Sequence, residues 1–151
     1  MEHHNYNITR LAMTIAALLV LQCRAGRDAN RFNVQGPETW LVDGRPYSVM
    51  ATYFIARLDL PRSPLQFTVE WECDTCKAPM AEAEAARVAT PLMRYVYSNG
   101  IYMRSEVRLK GKTVAPSVIG VVVGESGANG NRGYRISKSI ADIRAMAGNA
   151  H

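Results

Sequence analysis

Histidine and cysteine are scarce in this chain, and their positions limit the chemistry that it can support. The 151 residues include three histidines, of which His3 and His4 lie near one terminus and His151 at the other. A serine or cysteine hydrolase needs an imidazole beside its nucleophile, and a zinc enzyme needs several ligands grouped together. The sequence therefore argues against these enzyme classes, and we expect neither a metal site nor a cofactor.

Long hydrophobic runs are also lacking, apart from one short run near the N-terminus. Residues 11–21 read LAMTIAALLVL and are followed by Cys23 and Ala25, small residues that suit a cleavage site. The run is shorter than the roughly 20 residues that a membrane-spanning helix needs. We therefore expect residues 1–25 to be a signal peptide and the protein to be exported, to the periplasm or as a secreted protein. Two alternatives remain open: an uncleaved or lipid-attached anchor that touches the membrane only through residues 11–21, and an ordinary buried helix.

Composition and charge indicate one globular domain. Hydrophobic residues make up 48% and charged residues 21% of the chain, which excludes a disordered or fibrous protein. The net charge of +5 favours weak attraction to acidic surfaces but is small for a nucleic-acid-binding protein. Residues 26–38 are polar and show no periodicity, so we expect a flexible lead-in there. Residues 39–151 then form a single domain.

The first part of this domain has the pattern of antiparallel strands. Asp43-Gly44 favours a tight hairpin turn because both positions tolerate positive φ, and residues 47–58 are rich in β-branched and aromatic side chains. Residues 66–72 alternate strictly between apolar and polar side chains, which predicts a half-buried strand. The prolines within residues 59–64 predict a loop between the two strands.

A long helix and further strands follow. Residues 80–100 contain good helix formers and end in an Asn-Gly cap, while Pro91 predicts a kink or a break into two helices. Alternating apolar residues predict a strand over 101–110. The apolar run at residues 117–124 predicts a strand in the middle of the sheet.

The chain ends in a short strand and a short helix. A glycine-rich loop precedes the strand at residues 134–137, and Ser139 is a suitable N-cap for the helix after it. The order of elements predicts an α+β fold: a mainly antiparallel sheet with one long central helix and a short C-terminal helix, in a single domain.

Cys73 and Cys76 form the most informative motif. They follow a predicted strand and precede the predicted long helix. The N–H groups at a helix start stabilise a thiolate, which would make the first cysteine reactive at neutral pH. In an oxidising compartment, a structural disulfide between the two residues is the simpler interpretation. Half of a metal site is a third interpretation, for which the chain offers few further ligands.

The stretch at residues 67–79, FTVEWECDTCKAP, resembles the active-site stretch of the thioredoxin family. A strand, a tryptophan, Cys-x-x-Cys, a lysine and a proline occur in the same order, and Pro116 precedes an apolar strand as the family's cis-proline does. The resemblance implies a thiol-disulfide oxidoreductase in which Cys73 attacks and Cys76 resolves. The likeness is local, because the connection at residues 111–116 suits a hairpin and is too short for the helical crossover of a thioredoxin sheet. The acidic residues around the pair also disfavour a thiolate.

Basic and aromatic residues accumulate on the outward positions of the strand predicted at 101–110 and on the hairpin after it. One interpretation is an ordinary solvated face, and the other is a docking surface for an acidic partner. The candidate partner-binding residues are Tyr102, Arg104, Arg108, Lys110 and Arg135.

These observations favour a non-catalytic envelope or secreted domain that binds another protein, in an assembly, accessory or inhibitor-type role. A disulfide between Cys73 and Cys76 would stabilise it. The alternative is a thioredoxin-like thiol-disulfide oxidoreductase that uses the same two cysteines. We expect the partner to be another envelope or secreted protein with an acidic surface, and we expect no nucleic acid to bind.

Overall fold

The computed structural model describes residues 31–56, 64–77, 79–126 and 133–149, without the side chains of residues 125 and 126. The predicted signal segment, most of the predicted loop at 59–64 and most of the glycine-rich loop lie outside these ranges. The strands are β1 (Arg31–Gln35), β2 (Glu38–Val42), β3 (Arg45–Ile55), β4 (Gln66–Lys77), β5 (Val107–Leu109), β6 (Lys112–Val114), β7 (Val118–Ser126) and β8 (Gly133–Ser139). The helices are α1 (Glu82–Ser98), a 3₁₀ helix (Ile101–Met103) and α2 (Ile140–Gly148).

Six of these strands form one mixed, mostly antiparallel sheet in the order β1-β3-β4-β7-β8, with β2 also paired with β3. β2 pairs with Arg45–Val49 and β1 with Thr52–Ile55, so these two strands share one edge of the sheet. β8 forms the opposite edge. The predicted α+β fold with a mainly antiparallel sheet, one long helix and a short C-terminal helix is confirmed.

The central pair, β4 and β7, is parallel. Parallel neighbours need a long crossover connection, and here α1, the 3₁₀ helix and the small β5-β6 hairpin supply it. β7 is therefore the central strand that its apolar sequence predicts, with β4 on one side and β8 on the other.

The two faces of the main sheet differ in what covers them. Along β7, Val121 and Val123 are fully buried, whereas Val122 between them is only half-buried. Side chains alternate between the faces of a strand, and α1 packs on β7 and β8, with α2 beside it. We call the side that carries Val121 and the helices the helix face, and the side that carries Val122 the outer face.

Helix α1 packs on the sheet through one continuous stripe of buried side chains. It runs without interruption through Pro91, so the predicted alternative of two shorter helices is wrong. The neighbouring Leu92 and Met93 are fully buried, and their packing offsets the hydrogen bond that a proline cannot donate. The helix ends as predicted, with Asn99 as C-cap and Gly100 in the left-handed conformation at φ 62°.

Residues 101–110 do not form the predicted strand. The left-handed Gly100 turns the chain into the 3₁₀ helix, and only β5 is extended, paired with β6 in a separate two-stranded sheet. The apolar residues whose alternation predicted this strand do not share one buried face: Ile101 is buried, but Met103 is 63% exposed.

The sheet also begins earlier than predicted. The sequence predicts a flexible lead-in over 26–38, but Arg31–Gln35 forms β1, and β2 begins soon after it. Phe32 lies opposite Phe54 and packs against the core. The strand shows no clear alternation because Asn33 adopts a positive φ of 50° and the pairing register shifts there. Residues 26–30 lie outside the described residues.

Candidate functional site

Cys73 and Cys76 form a disulfide with their Cα atoms 5.2 Å apart. Both residues lie within β4 near its end. Cys73 is opposite Glu125 of β7, and the next pair is Lys77 with Ser126, so residues 74–76 form an excursion that has no partners in β7. The disulfide closes the base of this excursion, and both sulfurs belong to the core cluster.

The helix start that would activate Cys73 is not next to it. β4 continues to Lys77, Ala81 is the N-cap, and α1 begins at Glu82. The favourable field of a helix N-terminus falls off within the first turn. The placement of the cysteines at a helix start, expected from the sequence, is therefore wrong. Burial of both side chains against the core keeps this segment extended instead.

The disulfide is shielded from solvent. Cys73 is fully buried and Cys76 is 6% exposed. The polar atom next to the Cys73 sulfur is the Thr75 hydroxyl, 3.6 Å away. Thiol-disulfide exchange requires an external thiolate to reach one of the sulfurs. Cys76 is thus the more exposed residue of the pair, whereas the resemblance to the thioredoxin family assigns the attack to Cys73.

The candidate partner-binding residues lie in or beside three separate elements, rather than on one strand face and the hairpin after it. Tyr102 lies in the 3₁₀ helix with Arg104 just after it, while Arg108 and Lys110 belong to the β5-β6 hairpin. Arg135 lies on β8, at the edge of the sheet opposite the one that Arg104 adjoins. Tyr102, Arg104, Arg108 and Lys110 are thus close to one another along the chain, whereas Arg135 lies at the other edge of the sheet.

The β5-β6 hairpin exposes three cations on a small support. Arg108, Lys110 and Lys112 are exposed, and Val107 anchors the hairpin in the core. Lys110 and Gly111 form the turn with positive φ values of 51° and 76°, the geometry of a tight two-residue hairpin turn. Among the described residues, no ion pair involves these cations. We call this element, with these three residues, the basic hairpin.

Tyr102 contributes to packing between helices. Its ring stacks on that of Tyr97 in α1, with centroids 6.0 Å apart and planes at 12°. The Tyr97 hydroxyl accepts a hydrogen bond of 3.0 Å from Arg144 Nε in α2. These contacts join the 3₁₀ helix, α1 and α2. Part of the Tyr102 side chain is therefore covered by these contacts. Arg104 and the three cations of the basic hairpin are exposed.

The outer face of the sheet carries a tyrosine-carboxylate cluster that the sequence does not reveal. The Tyr53 hydroxyl donates a 2.6 Å hydrogen bond to Glu70, and the Arg31 guanidinium lies 4.5 Å from the centre of the Tyr53 ring. Arg31 also lies 3.9 Å from the Glu70 carboxylate. Burial, followed by the bond to Glu70, raises the pKa of Tyr53 to about 12. The phenol therefore stays protonated near neutral pH and serves as a hydrogen-bond donor rather than as an acid-base catalyst.

A second polar chain crosses the outer face above β7. Gln66 donates to the Thr68 hydroxyl at 3.1 Å and accepts from the Ser137 hydroxyl at 3.3 Å. The side chain thus reaches from β4 to β8 across Gly120, where a Cβ atom would lie 2.2 Å from Gln66 Nε2. A glycine inside an apolar strand is the sequence signal for such a close approach, but the pattern alone does not identify the crossing side chain.

An open groove of about 560 Å³ lies beside the edge of the sheet formed by β8. Ala83 and Ala86 of α1 line it on one side, together with Glu82, and residues 135–137 of β8 line the other. A much smaller, partly open pocket at the opposite edge has about 10 Å³, room for a water molecule only.

The described part of the chain lacks two other kinds of functional feature, a metal site and a membrane-spanning helix. Within it, no three His, Cys, Asp or Glu side chains are grouped so as to hold a metal ion. Neither of its α-helices is long and apolar enough to cross a membrane. No protein family, no curated protein and no solved structure matches this chain.

Proposed function

We propose that this chain is an exported, non-catalytic domain that binds another envelope or secreted protein. The observation that carries the proposal is the Cys73–Cys76 disulfide, which lies in the core and within a strand. Disulfides persist in secreted and periplasmic proteins and are rare in reducing compartments. The predicted signal segment at residues 1–25 supports the same compartment.

The disulfide acts in this proposal as a structural cross-link. In the loop-closure model, a ring of this size contributes about 2 kcal/mol of stability. The cross-link also ties both ends of the excursion at residues 74–76, where β4 loses its partners in β7. The end of the central strand is thereby held against the core just before the chain enters α1.

The basic hairpin and Arg104 form the proposed contact with the partner. Their exposed cations favour association with an acidic surface, which long-range attraction would accelerate. Tyr102, stacked on Tyr97, adds a fixed aromatic surface beside Arg104. Exposed aromatic and arginine side chains are frequent anchors of protein interfaces.

A thiol-disulfide oxidoreductase is the competing function, and its discriminating assay is turnover. With dithiothreitol as the electron donor, we expect the purified protein to reduce insulin no faster than a Cys73→Ala/Cys76→Ala variant does, because Cys73 is fully buried. Turnover that depends on the two cysteines would overturn the non-catalytic proposal. The variant controls for contaminating reductases.

The proposed partner surface is tested by site-specific photocrosslinking in the envelope fraction of cells that produce the chain. A photoreactive residue at position 108 should capture an acidic protein, whereas the same residue at the exposed position 145 of α2 should not. Equal capture at both positions, or capture at neither, would contradict a contact through the basic hairpin.

Export is tested by fusing residues 1–25 to alkaline phosphatase, which becomes active only after it forms disulfides outside the cytoplasm. We expect activity from this fusion and none from a control that lacks residues 11–21. An inactive fusion would contradict the proposed signal and the proposed compartment.

A further inference from the structure

The two edges of the main sheet are built differently. At the β1/β2 edge, Gly36 and Pro37 interrupt the strand, Asn33 has a positive φ, and the register shifts between Phe32 and Gln35. Interruptions, prolines and bulges of this kind are the usual means by which proteins prevent unwanted strand pairing at a sheet edge. This edge is therefore poorly suited to accept another strand.

The β8 edge has none of these irregularities. β8 pairs with β7 from Gly133 to Ser139 without a register shift, and it contains no proline. No described strand pairs with its outer edge. Its one protective feature is charge, in the form of Arg135 and Lys138, and β8 carries no acidic residue. Two cations repel a basic strand and favour an acidic one.

The space that an added strand needs is present beside β8. A neighbouring strand lies about 4.8 Å from the strand with which it pairs, and the groove of about 560 Å³ adjoins this edge. On the α1 side the groove is lined by Ala83 and Ala86, whose short side chains leave room for those of an incoming strand. Glu82 stands at the same side and disfavours an acidic residue near α1.

Successive side chains of β8 lie on opposite faces of the sheet, so each face of an added strand would meet a different set of β8 side chains. Ile136 lies opposite the buried Val121, on the helix face, whereas Arg135 lies opposite the half-buried Val122, on the outer face. Acidic side chains would therefore lie on the outer face near Arg135. Apolar side chains would lie on the helix face, between Ile136 and the two alanines of α1. Lys138 is also on the helix face, opposite Ile119, so the residue of the incoming strand nearest Lys138 is the one place on this face where an acidic side chain would fit.

We infer that the β8 edge accepts an extended segment of the partner protein as an added strand, acidic on its outer face and apolar on its helix face. This inference rests on the proposed function and adds a second contact with the partner, at the edge of the sheet opposite the one that Arg104 adjoins. Main-chain hydrogen bonds would supply affinity, and the alternating side chains would supply selectivity.

The probe for the test is a fluorescent octapeptide of alternating Glu and Val, titrated with the full chain and followed by anisotropy. We expect saturable binding, and we expect Ala83→Tyr to weaken it at least about tenfold, because a ring in the groove occupies the space of the strand. The matched control is Ala145→Tyr, at an exposed position of α2 outside the groove, which should change the affinity by less than about twofold. Absence of binding to the unmodified chain would overturn the inference.

Charge is tested with a second matched pair. Arg135→Glu and Arg94→Glu alter the net charge equally, but Arg94 is exposed on α1, outside β8, the groove and the basic hairpin. We expect Arg135→Glu to weaken binding of the Glu-Val peptide at least about tenfold, and Arg94→Glu to weaken it by no more than about twofold. Equal losses would mean that the peptide binds through general charge attraction and would overturn the inference.

Strand pairing is tested with two peptides that are N-methylated on alternate residues, in the two possible registers. An added strand bonds through one set of amides only, so one peptide should lose binding and the other should retain it. Equal binding of both would exclude strand addition. A dimer of the chain that is dissociated by Ala83→Tyr in sedimentation velocity would instead assign the edge to a second copy.

These outcomes are separable from those of the proposed function. Insulin turnover would overturn the non-catalytic proposal whatever the peptide does. Crosslinking through the basic hairpin without turnover, together with no peptide binding, would overturn the β8 inference alone.

Discussion

Replacing Gly120 by alanine tests the crossing of the outer face by Gln66. The new Cβ would lie 2.2 Å from Gln66 Nε2 and 3.0 Å from Gln66 Cδ. Both atoms belong to the end of a flexible side chain, so Gln66 can swing away without movement of the backbone. In doing so it loses its hydrogen bonds to Thr68 and Ser137.

The expected cost of this substitution is modest and follows from two opposing terms. Each of the two hydrogen bonds contributes about 0.5 to 1.5 kcal/mol to the free energy of unfolding. Replacement of a strand glycine by alanine returns about 0.5 to 1 kcal/mol through the lower entropy of the unfolded chain. We therefore expect Gly120→Ala to lower the free energy of unfolding by about 1 kcal/mol.

Urea unfolding of a double-mutant cycle with Gln66→Ala measures the coupling directly. In the Gln66→Ala background the clash is absent, so Gly120→Ala should be neutral or stabilising. Gly148→Ala is the control, because its Cβ would have no atom within 4 Å, and it should stabilise the protein slightly. If Gly120→Ala costs the same with and without Gln66, the described crossing is refuted.

Three further predictions concern the cross-link, the buried phenol and the helical proline. Cys73→Ala/Cys76→Ala should lower the free energy of unfolding by at least about 2 kcal/mol, and treatment of the unmodified protein with a strong reductant should shift the urea midpoint in the same direction. The pKa of Tyr53 is raised from 10.0 to about 12. The stability that the protonated phenol contributes is therefore complete below about pH 10 and is lost as the pH rises toward about 12. The urea midpoint should fall over this range, and it should fall less in Tyr53→Phe. Pro91→Ala restores a donor within α1 and should raise the thermal midpoint, with a gain in free energy of about 1 to 3 kcal/mol; a lower midpoint would mean that the packing of α1 depends on the proline.

Strong local signals in the sequence predicted the frame of the fold. Asp43-Gly44 forms the predicted hairpin turn, with φ values of 51° and 76°. Ser139 accepts a hydrogen bond from the Asp142 backbone N–H and so caps α2 as predicted. The apolar-polar alternation at 66–72 and the apolar run at 117–124 correctly predicted β4 and β7, the two central strands. In each case local chemistry and tertiary packing favour the same conformation.

Two predictions failed where tertiary packing overrides the local pattern. The apparent alternation at 101–110 extends across a turn, because Gly100 redirects the chain and Ile101 is buried by the core rather than by a neighbouring strand. Pro91 does not break α1, because the residues beside it are fully buried. Periodicity alone cannot identify which neighbour buries an apolar residue.

The candidate surfaces were only partly predictable. The sequence identified the basic residues but assigned them to one strand face and the hairpin after it, whereas the fold separates Arg135 from Arg104 by the width of the sheet. The Tyr53-Glu70 contact and the groove beside β8 depend on strand register and on the position of α1. Neither property is encoded in the local pattern of any one segment.

The reduction potential of the Cys73–Cys76 pair tests the central claim most directly. It is measured by equilibrating the protein in thiol-disulfide buffers of increasing reducing power and alkylating the free thiols at each step. A buried structural cross-link predicts a potential below about −300 mV, so that the pair stays oxidised across the range of glutathione buffers. A potential between about −120 and −270 mV, the range of thiol-disulfide oxidoreductases, would contradict a non-catalytic role for this disulfide.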